Sequence, residues 1–438
     1  MFVINILDII AKKCNGEVLS KREIDFFTEQ CAGSGLSDFH ISAFLTACFI
    51  NKISKDEMMD LALSISSSGQ SVDSASAGLP TVDVCCTGAV GDKTDFILTP
   101  LLACAGVNVI KNIDCGLGSF CTSAEKFKCI SGLRTELSRA EILDILEKFG
   151  GAFCSSSDFI VPAEKRILSV FNRLPVISDL SVVTACIIGR KLAVSSDALV
   201  FDFKYGSGTL FPSYEAAELA AREVISAMNS FGKKAVASVS PLDEPIGRAL
   251  GFAPELSEAA DTLKGHGPDD LTERCLSLAA RAVVLLGKER DYDSAYTLVR
   301  EILFSGKAMF KFNSIITAQG GCTAFLKKSY GQDRQPLSAE IKAESDGYVW
   351  QIDSGKLAQA ARCLAFGADN ASCGSADYSS GISLLKKTGD HVSKGESLAT
   401  VYHNSEYRFN CCKKLIISAY SFSAAPFKLC GDKSVFIG

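Results

Sequence analysis

The sequence predicts an α/β protein: a small helical domain, discontinuous in the chain, a large α/β domain, and a C-terminal β-containing lobe. Three observations predict it. Apolar residues recur at three-to-four spacing over the first 68 residues, strand-like and helical runs alternate from Pro80 onward, and the last third breaks into short strands around glycine turns.

The elements follow in order. Ile4, Ile6, Leu7, Ile9 and Ile10 fit one face of a short helix before Lys12 and Lys13. Ile24, Phe26 and Phe27, then Ile41, Phe44, Leu45 and Cys48, then Met58, Met59, Leu61 and Leu63 continue the helical pattern. The Ser-, Gly- and Ala-rich run Ser64–Leu79 reads as a linker, and Pro80–Val84 as the first buried strand of a new unit. Strands at Gly106–Ile110, Ala152–Cys154, Ala198–Phe203 and Lys234–Val239 alternate with helices at Arg139–Phe149, Tyr214–Phe231 and Asp270–Leu286. Pro162–Ala193 reads as helical and returns to the N-terminal helices. Glu340–Trp350 and Leu385–Thr400 read as short strands. The resulting division is 1–68 with 162–193, 80–161 with 194–335, and an α+β lobe over 336–438.

Composition narrows the function. The 438 residues are 47% hydrophobic and 22% charged, which places the chain among folded globular proteins. A net charge of -5 supplies no global field for nucleic acid or an anionic membrane, so neither is expected as a partner. The start lacks a signal-peptide pattern and no apolar run matches a bilayer span, so a soluble, cytoplasmic protein is expected. The 18 cysteines include no C-x-x-C pair, so most are expected as reduced, buried small hydrophobes, with no metal or other cofactor. The adjacent pairs Cys85–Cys86 and Cys411–Cys412 are poorly placed to bridge, since a vicinal disulfide strains the backbone. The four histidines, His40, His266, His391 and His403, are expected to be solvated loop residues.

One strand–turn motif, Val82 to Thr94, holds Gly88 and Gly91 and can face backbone N–H groups toward an anion. Taken in chain order with Cys115–Ser119, Pro162–Arg166, Asp202–Gly208 and Thr262–Glu273, it resembles the thymidine phosphorylase and pyrimidine-nucleoside phosphorylase family over nearly the whole length. That resemblance implies a homodimer joined through the small domain, through Ile6, Leu7, Ile10 and the Leu180–Ile188 stripe. It also implies domain closure over phosphate and a pyrimidine nucleoside, with phosphate as co-substrate displacing the base to give a pentose 1-phosphate.

The same resemblance shows where the chain departs. The family's Lys-His-Ser reads Val84–Cys85–Cys86, so Cys85 stands at the catalytic histidine's position. A phosphate-binding hydroxyl is replaced by Asp95 and another by Ile113, while Thr94, Lys111 and Ser123 remain able to contact an anion. On the base side, Leu168 and Phe171 stand for the family's Tyr and Arg, and Cys186 and Arg190 for its Ser and Lys; Arg190 keeps a charge with a different geometry. Some bacterial members hold a monovalent cation through the positions of Gly91, Lys93, Ile246, Ala249 and Glu258. Here the Lys93 ammonium either takes that place beside Glu258 or is solvated at the turn. The changes at 84 and 95 alter the charge beside the phosphate by about two units, each worth roughly 4 kcal/mol at ~4 Å and an effective dielectric of about 20. A degenerate paralogue with weak, altered or lost phosphorolysis is the favoured expectation. The alternative is an active phosphorylase or related pentosyltransferase using Lys111, Thr94, Ser123 and Arg190. Cys85, Cys86, Cys115, Cys121 and Cys186 border the implied cleft and are expected to be accessible thiols, whereas Cys48 and Cys104 are expected to be shielded.

Overall fold

A computed structural model describes residues 4–74, 78–113, 123–155, 159–171, 174, 180–323, 336–367, 376–427 and 434–438. The chain opens with four helices, α1 (Ile6–Cys14), α2 (Lys21–Ala32), α3 (Asp38–Asn51) and α4 (Lys55–Ser66). Ser54 and Glu57 form a capping box at the start of α4, and Glu57 also receives the buried Lys13 ammonium at 2.9 Å. One carboxylate thus caps the start of one helix and ties another to it. Phe27 stacks on Phe44 at 3.9 Å between ring centroids inside this bundle.

The α/β region follows: β1 (Thr81–Cys86), α5 (Thr94–Cys104), β2 (Asn108–Ile113), α6 (Ser123–Phe127), α7 (Arg139–Phe149) and β3 (Gly151–Ser155). The crossover from β3 then runs through α8 (Pro162–Phe171) and α9 (Leu180–Ala193), which pack on α2, α3 and α4, before β4 (Ala198–Tyr205), α10 (Tyr214–Ser230) and β5 (Lys234–Pro241). The helical domain is therefore discontinuous. Where the sequence reading had one helical stretch over 162–193, the structure has two helices. Continuing, the chain forms β6 (Ala249–Leu250), α11 (Phe252–Leu263), α12 (Asp269–Leu285), α13 (Tyr292–Phe304) and α14 (Lys307–Ala318). The lobe comprises β7 (Leu337–Lys342), β8 (Gly347–Ile352), α15 (Ser354–Phe366), β9 (Gly381–Leu384), β10 (His391–Val392), β11 (Ser397–His403), α16 (Glu406–Ala419) and β12 (Tyr420–Ser423), and β13 (Val435–Ile437) ends the chain.

The main sheet has the order β13-β5-β4-β1-β2-β3, parallel except for β13 on the β5 edge. Its inner strands are apolar on both faces, as a sheet covered on both sides requires. One face carries Val82, Val84, Val109, Ile113 and Val200 against α5 and α11 to α14. The other carries Cys85, Ile110, Leu199 and Phe201 against α7, α9 and α10. In the lobe, β7, β9 and β11 form an antiparallel sheet that β6 joins, with Ala249 opposite Ser383.

Several expectations are corrected. Val182, Val183, Ala185, Cys186, Ile187 and Ile188 are buried within this one chain, so the stripe on α9 offers nothing to a second copy. α4 continues to Ser66, inside the expected linker, and Val72 makes a bridge to Val194. The helical part of the expected α+β lobe is α15 and α16, to which the sequence reading gave no positions; alanines crowd α15 on several sides and leave no clear stripe. The segment read as strands from Leu385 contains only β10 and the start of β11, because β9 ends at Leu384. Of the histidines, only His266 lies in a turn; His403 is buried in β11, stacked on Phe409 at 4.8 Å.

The lobe is fastened by Lys387, whose ammonium donates to Pro245 O at 2.6 Å, Gly247 O at 3.0 Å and Asp270 Oδ2 at 3.1 Å. Burial acts to raise the Asp270 carboxyl, but Lys387 and the Gly247 N–H outweigh it and hold it below its ordinary 3.8. A carboxylate lowered on folding contributes stability that is present above its unfolded pKa and lost as pH falls through the folded one. Asp270→Asn should therefore lower the urea midpoint at about pH 7, and the gap to the unmodified protein should close as pH falls below about 4. A gap that is constant across that range would show that the ion pair contributes nothing.

Candidate functional site

The site grows from the turn between β1 and α5. Gly88 and Gly91 take φ values of 84° and 78°, a left-handed backbone that favours glycine, and bring the chain round to the helix. Asp92, one residue before the N-cap Lys93, accepts from Thr94 N–H at 3.0 Å and Thr94 Oγ1 at 2.6 Å. The other Asp92 oxygen receives Lys204 at 2.9 Å, and Lys204 also pairs with Asp202. Lys126 binds Glu255 at 2.6 Å and donates to Asp92 O. Burial acts to raise the Asp92 carboxyl, yet Lys204 and Thr94 hold it well below the usual carboxylate range.

Beside this turn, Lys111 lies on β2 with its ammonium 2.8 Å from Asp95 and 3.7 Å from Asp83, and donates to Val84 O at 2.5 Å. Ser123, at the start of α6, donates to the other Asp95 oxygen at 2.8 Å. Burial acts to lower the Lys111 pKa, but Asp95 and then Asp83 hold it well above the ordinary lysine value. Burial leaves the Asp95 carboxyl raised despite Lys111. Asp83 is held in turn by Lys191 from α9, with both side chains 1% exposed. Val84 and Ile113 point to the α5 face of the sheet and are packed there.

On the opposite side, Leu168, Phe171 and Cys186 are buried in the core that contains Cys85. Arg190 is buried too, and its Nε donates to Glu164 at 2.7 Å. The expectation of accessible thiols is overturned for Cys85, Cys86 and Cys186, which packing seals, and burial pushes all three thiols up. Cys115 and Cys121 lie outside the described residues. Cys48 is shielded as expected, whereas Cys104 is only half-buried.

Lys93 is not solvated at the turn. Its side chain is fully buried, and the ammonium donates to Ile246 O at 3.2 Å, Ala249 O at 2.9 Å and Glu258. Glu258 also accepts from Arg248 N–H and Ala249 N–H. Gly247, at φ 71°, leaves the space that Glu258 and Lys93 fill: a Cβ there would collide with the Glu258 carboxylate.

The sequence reading missed Asp83, Asp92, Lys126, Lys191, Lys204 and Glu255 as parts of this arrangement. A signal did exist for two of them. Asp83 is a charge inside a strand buried along its whole length, and Lys191 follows Arg190 in the buried last turn of α9; charges in such places demand partners.

With this geometry in place, comparison with known proteins gives a consistent result. The chain matches the glycosyl transferase family helical bundle domain over residues 7–69, the a/b domain of that family over 78–309, and the pyrimidine nucleoside phosphorylase C-terminal domain over 348–423. It is 33% identical over 409 residues to a pyrimidine-nucleoside phosphorylase of Staphylococcus haemolyticus, covering 93% of this chain and 94% of the relative. The chain belongs to the pyrimidine-nucleoside phosphorylase family. A family member from Geobacillus stearothermophilus is 32% identical over 421 residues, 96% of each chain. The solved structure of anthranilate phosphoribosyltransferase from Thermus thermophilus shares the fold, with a TM-score of 0.56 at 18% identity, over 71% of this chain and 99% of that one.

Brief alkylation of the native protein, read by peptide mass spectrometry, should label the exposed Cys14 and Cys322 and spare Cys85, Cys86 and Cys186 until denaturant is added. Rapid labelling of Cys85 would show that the packing around β1 opens.

Proposed function

We propose that this chain is a degenerate paralogue of the pyrimidine-nucleoside phosphorylases, a soluble cytoplasmic homodimer that keeps their fold and has lost phosphorolysis at a normal rate. One observation carries the reading. Each group left for anion work is engaged by the chain's own carboxylates: Lys111 and Ser123 by Asp95, Thr94 by Asp92, and Arg190 by Glu164. An entering phosphate would meet Asp95 rather than a free cation. Two like charges at ~4 Å and an effective dielectric of about 20 repel by roughly 4 kcal/mol, close to three orders of magnitude in affinity. The base side supports the same reading, because Phe171 donates no hydrogen bond to a departing pyrimidine, and one lost donor of that kind costs ~10²–10³ in rate. For the homodimer, Leu7, Phe39 and Ile50 lie exposed on the paired helices α1 and α3 and supply an apolar face for a second copy.

The Lys93 ammonium takes the place that a monovalent cation occupies in some relatives. Its partners, two carbonyls and a carboxylate, are the oxygen set such an ion needs. The protein should then be indifferent to potassium, whereas Lys93→Ser should show a melting temperature that rises with potassium or ammonium over lithium at equal ionic strength. A potassium requirement in the unmodified protein would refute the substitution.

The central test is phosphate. Millimolar phosphate should raise the melting temperature no more than chloride at equal ionic strength, and a panel of pyrimidine nucleosides with phosphate should release no base. The combined variant Val84→Lys, Cys85→His, Cys86→Ser, Asp95→Ser and Ile113→Ser should gain saturable phosphate stabilisation, since it adds a cation, removes an anion and frees Lys111 and Ser123. Catalysis should stay poor until Phe171→Arg is added. Phosphate-specific stabilisation or base release by the unmodified protein would establish the active-enzyme reading instead.

A further inference from the structure

An open sheet has two edge strands, and each presents backbone N–H and C=O groups to which another extended chain can add. The two edges of the main sheet are closed by different means. At β3 the Gln319 side chain stands in for a neighbouring strand: its Oε1 accepts from Phe153 N–H at 2.9 Å and its Nε2 donates to Phe153 O at 2.8 Å, while Ser155 N–H donates to Thr135 O at 2.9 Å. Beside β5 the closure is the end of the chain itself. β13 runs antiparallel to β5, with Val435 opposite Val239, Phe436 opposite Ser238 and Ile437 opposite Ala237.

β5 needs this cover. Between Lys234 and Pro241 it carries no charge and reads Ala-Val-Ala-Ser-Val-Ser, the kind of strand that pairs with another chain when its edge is open. The lobe sheet differs, because its edge strand β7 presents the exposed charges Glu340 and Lys342. The covering strand is also held by its side chains. The Arg281 guanidinium of α12 lies over the Phe436 ring at 4.3 Å from its centroid and over the Tyr292 ring at 4.6 Å. Arg281 Nε is buried without a hydrogen-bond partner among the described residues, so ring faces are what this cation meets. Ile437 packs against the core, and a Cβ at Gly438 would come within 3.0 Å of Ala235 O, so a residue without one lets the chain end approach β5.

We infer that the β5 edge, together with Arg281 and Tyr292, is a docking surface for an extended strand bearing an aromatic side chain, filled by the chain's own last residues. β13 thereby guards the edge: uncovered, β5 pairs with the same edge of a second copy, antiparallel about a twofold axis. Main-chain bonds of the ladder supply the hold, and the guanidinium selects the aromatic side chain. This surface is separate from the α1 and α3 face offered for a homodimer, and it is independent of whether the protein cleaves nucleosides.

Sedimentation and hydrogen exchange on the full chain test it. Phe436→Asp combined with Ile437→Asp should vacate the edge, so that the mass rises with concentration to about twice that of the unmodified protein. At low concentration the β5 amides that point to β13 should exchange about a hundredfold faster than in the unmodified protein, and they should regain protection on association. A synthetic peptide of the Ser434–Gly438 sequence at millimolar concentration should return the variant to the unmodified mass, and the same peptide carrying Phe436→Asp should not. A variant mass equal to the unmodified one at every concentration would overturn the inference, as would association that leaves the β5 amides open or that the peptide does not reverse. Should the double variant fail to fold, Arg281→Leu, which keeps β13 and removes its aromatic contact, should speed exchange of the same amides by about tenfold or more; unchanged exchange there would overturn the role given to Arg281.

Discussion

A buried charge must be met by an opposite one, and the interior of this protein is organised around that requirement. Asp83 projects from the middle of a strand that is buried along its whole length. It draws Lys191 from the helical domain and faces Lys111 from the neighbouring strand. From Lys111 the pairing passes to Asp95 and Ser123 at the helix start, and close by to Asp92, Lys204 and Asp202. Removing one member of such a set strands its partner in low dielectric, which costs far more than the net worth of the pair. Few of these residues can change alone.

This closed system of charges ties together the segments around the turn between β1 and α5. A ligand site needs donors that are held in place yet unsatisfied until the ligand arrives. Here the donors are held in place and satisfied already. Asp95 acts as an internal anion on Lys111 and Ser123, and the Lys93 ammonium fills the oxygen cage of Ile246, Ala249 and Glu258. Both arrangements also cross-link separate segments of the chain. The loop whose Ile246 and Ala249 carbonyls Lys93 holds is gripped from the lobe side by Lys387 at Pro245 O and Gly247 O, so one short loop couples the central turn to the C-terminal lobe.

Val84, Ile113, Leu168, Phe171 and Cys186 are each the kind of residue that gains by burial, and the cores on the two faces of the sheet absorb them. Thiols follow the same rule. Their grouping in the sequence suggested chemistry, but a thiol without solvent or a nearby uncompensated cation is a small hydrophobe.

Local pattern was enough for much of the architecture. Helix periodicity, the strand–helix alternation after Pro80 and the glycine turns of the lobe give the fold class, because those signals arise from contacts within a few residues. The ordered motifs pointed to the family, and Asp95 and Phe171 read there as departures from the pattern the resemblance implies. What tertiary structure alone decided is where the surviving polar groups spend their hydrogen bonds. Lys93 and Glu258 are 165 residues apart, and Lys191 and Asp83 are 108 apart, so no periodicity links them. The accessibility of the cysteines and the fate of the α9 stripe are equally non-local, since burial depends on what the rest of the chain lays against a surface. A residue's type tells what it can bind; only the folded chain determines whether that capacity has already been used.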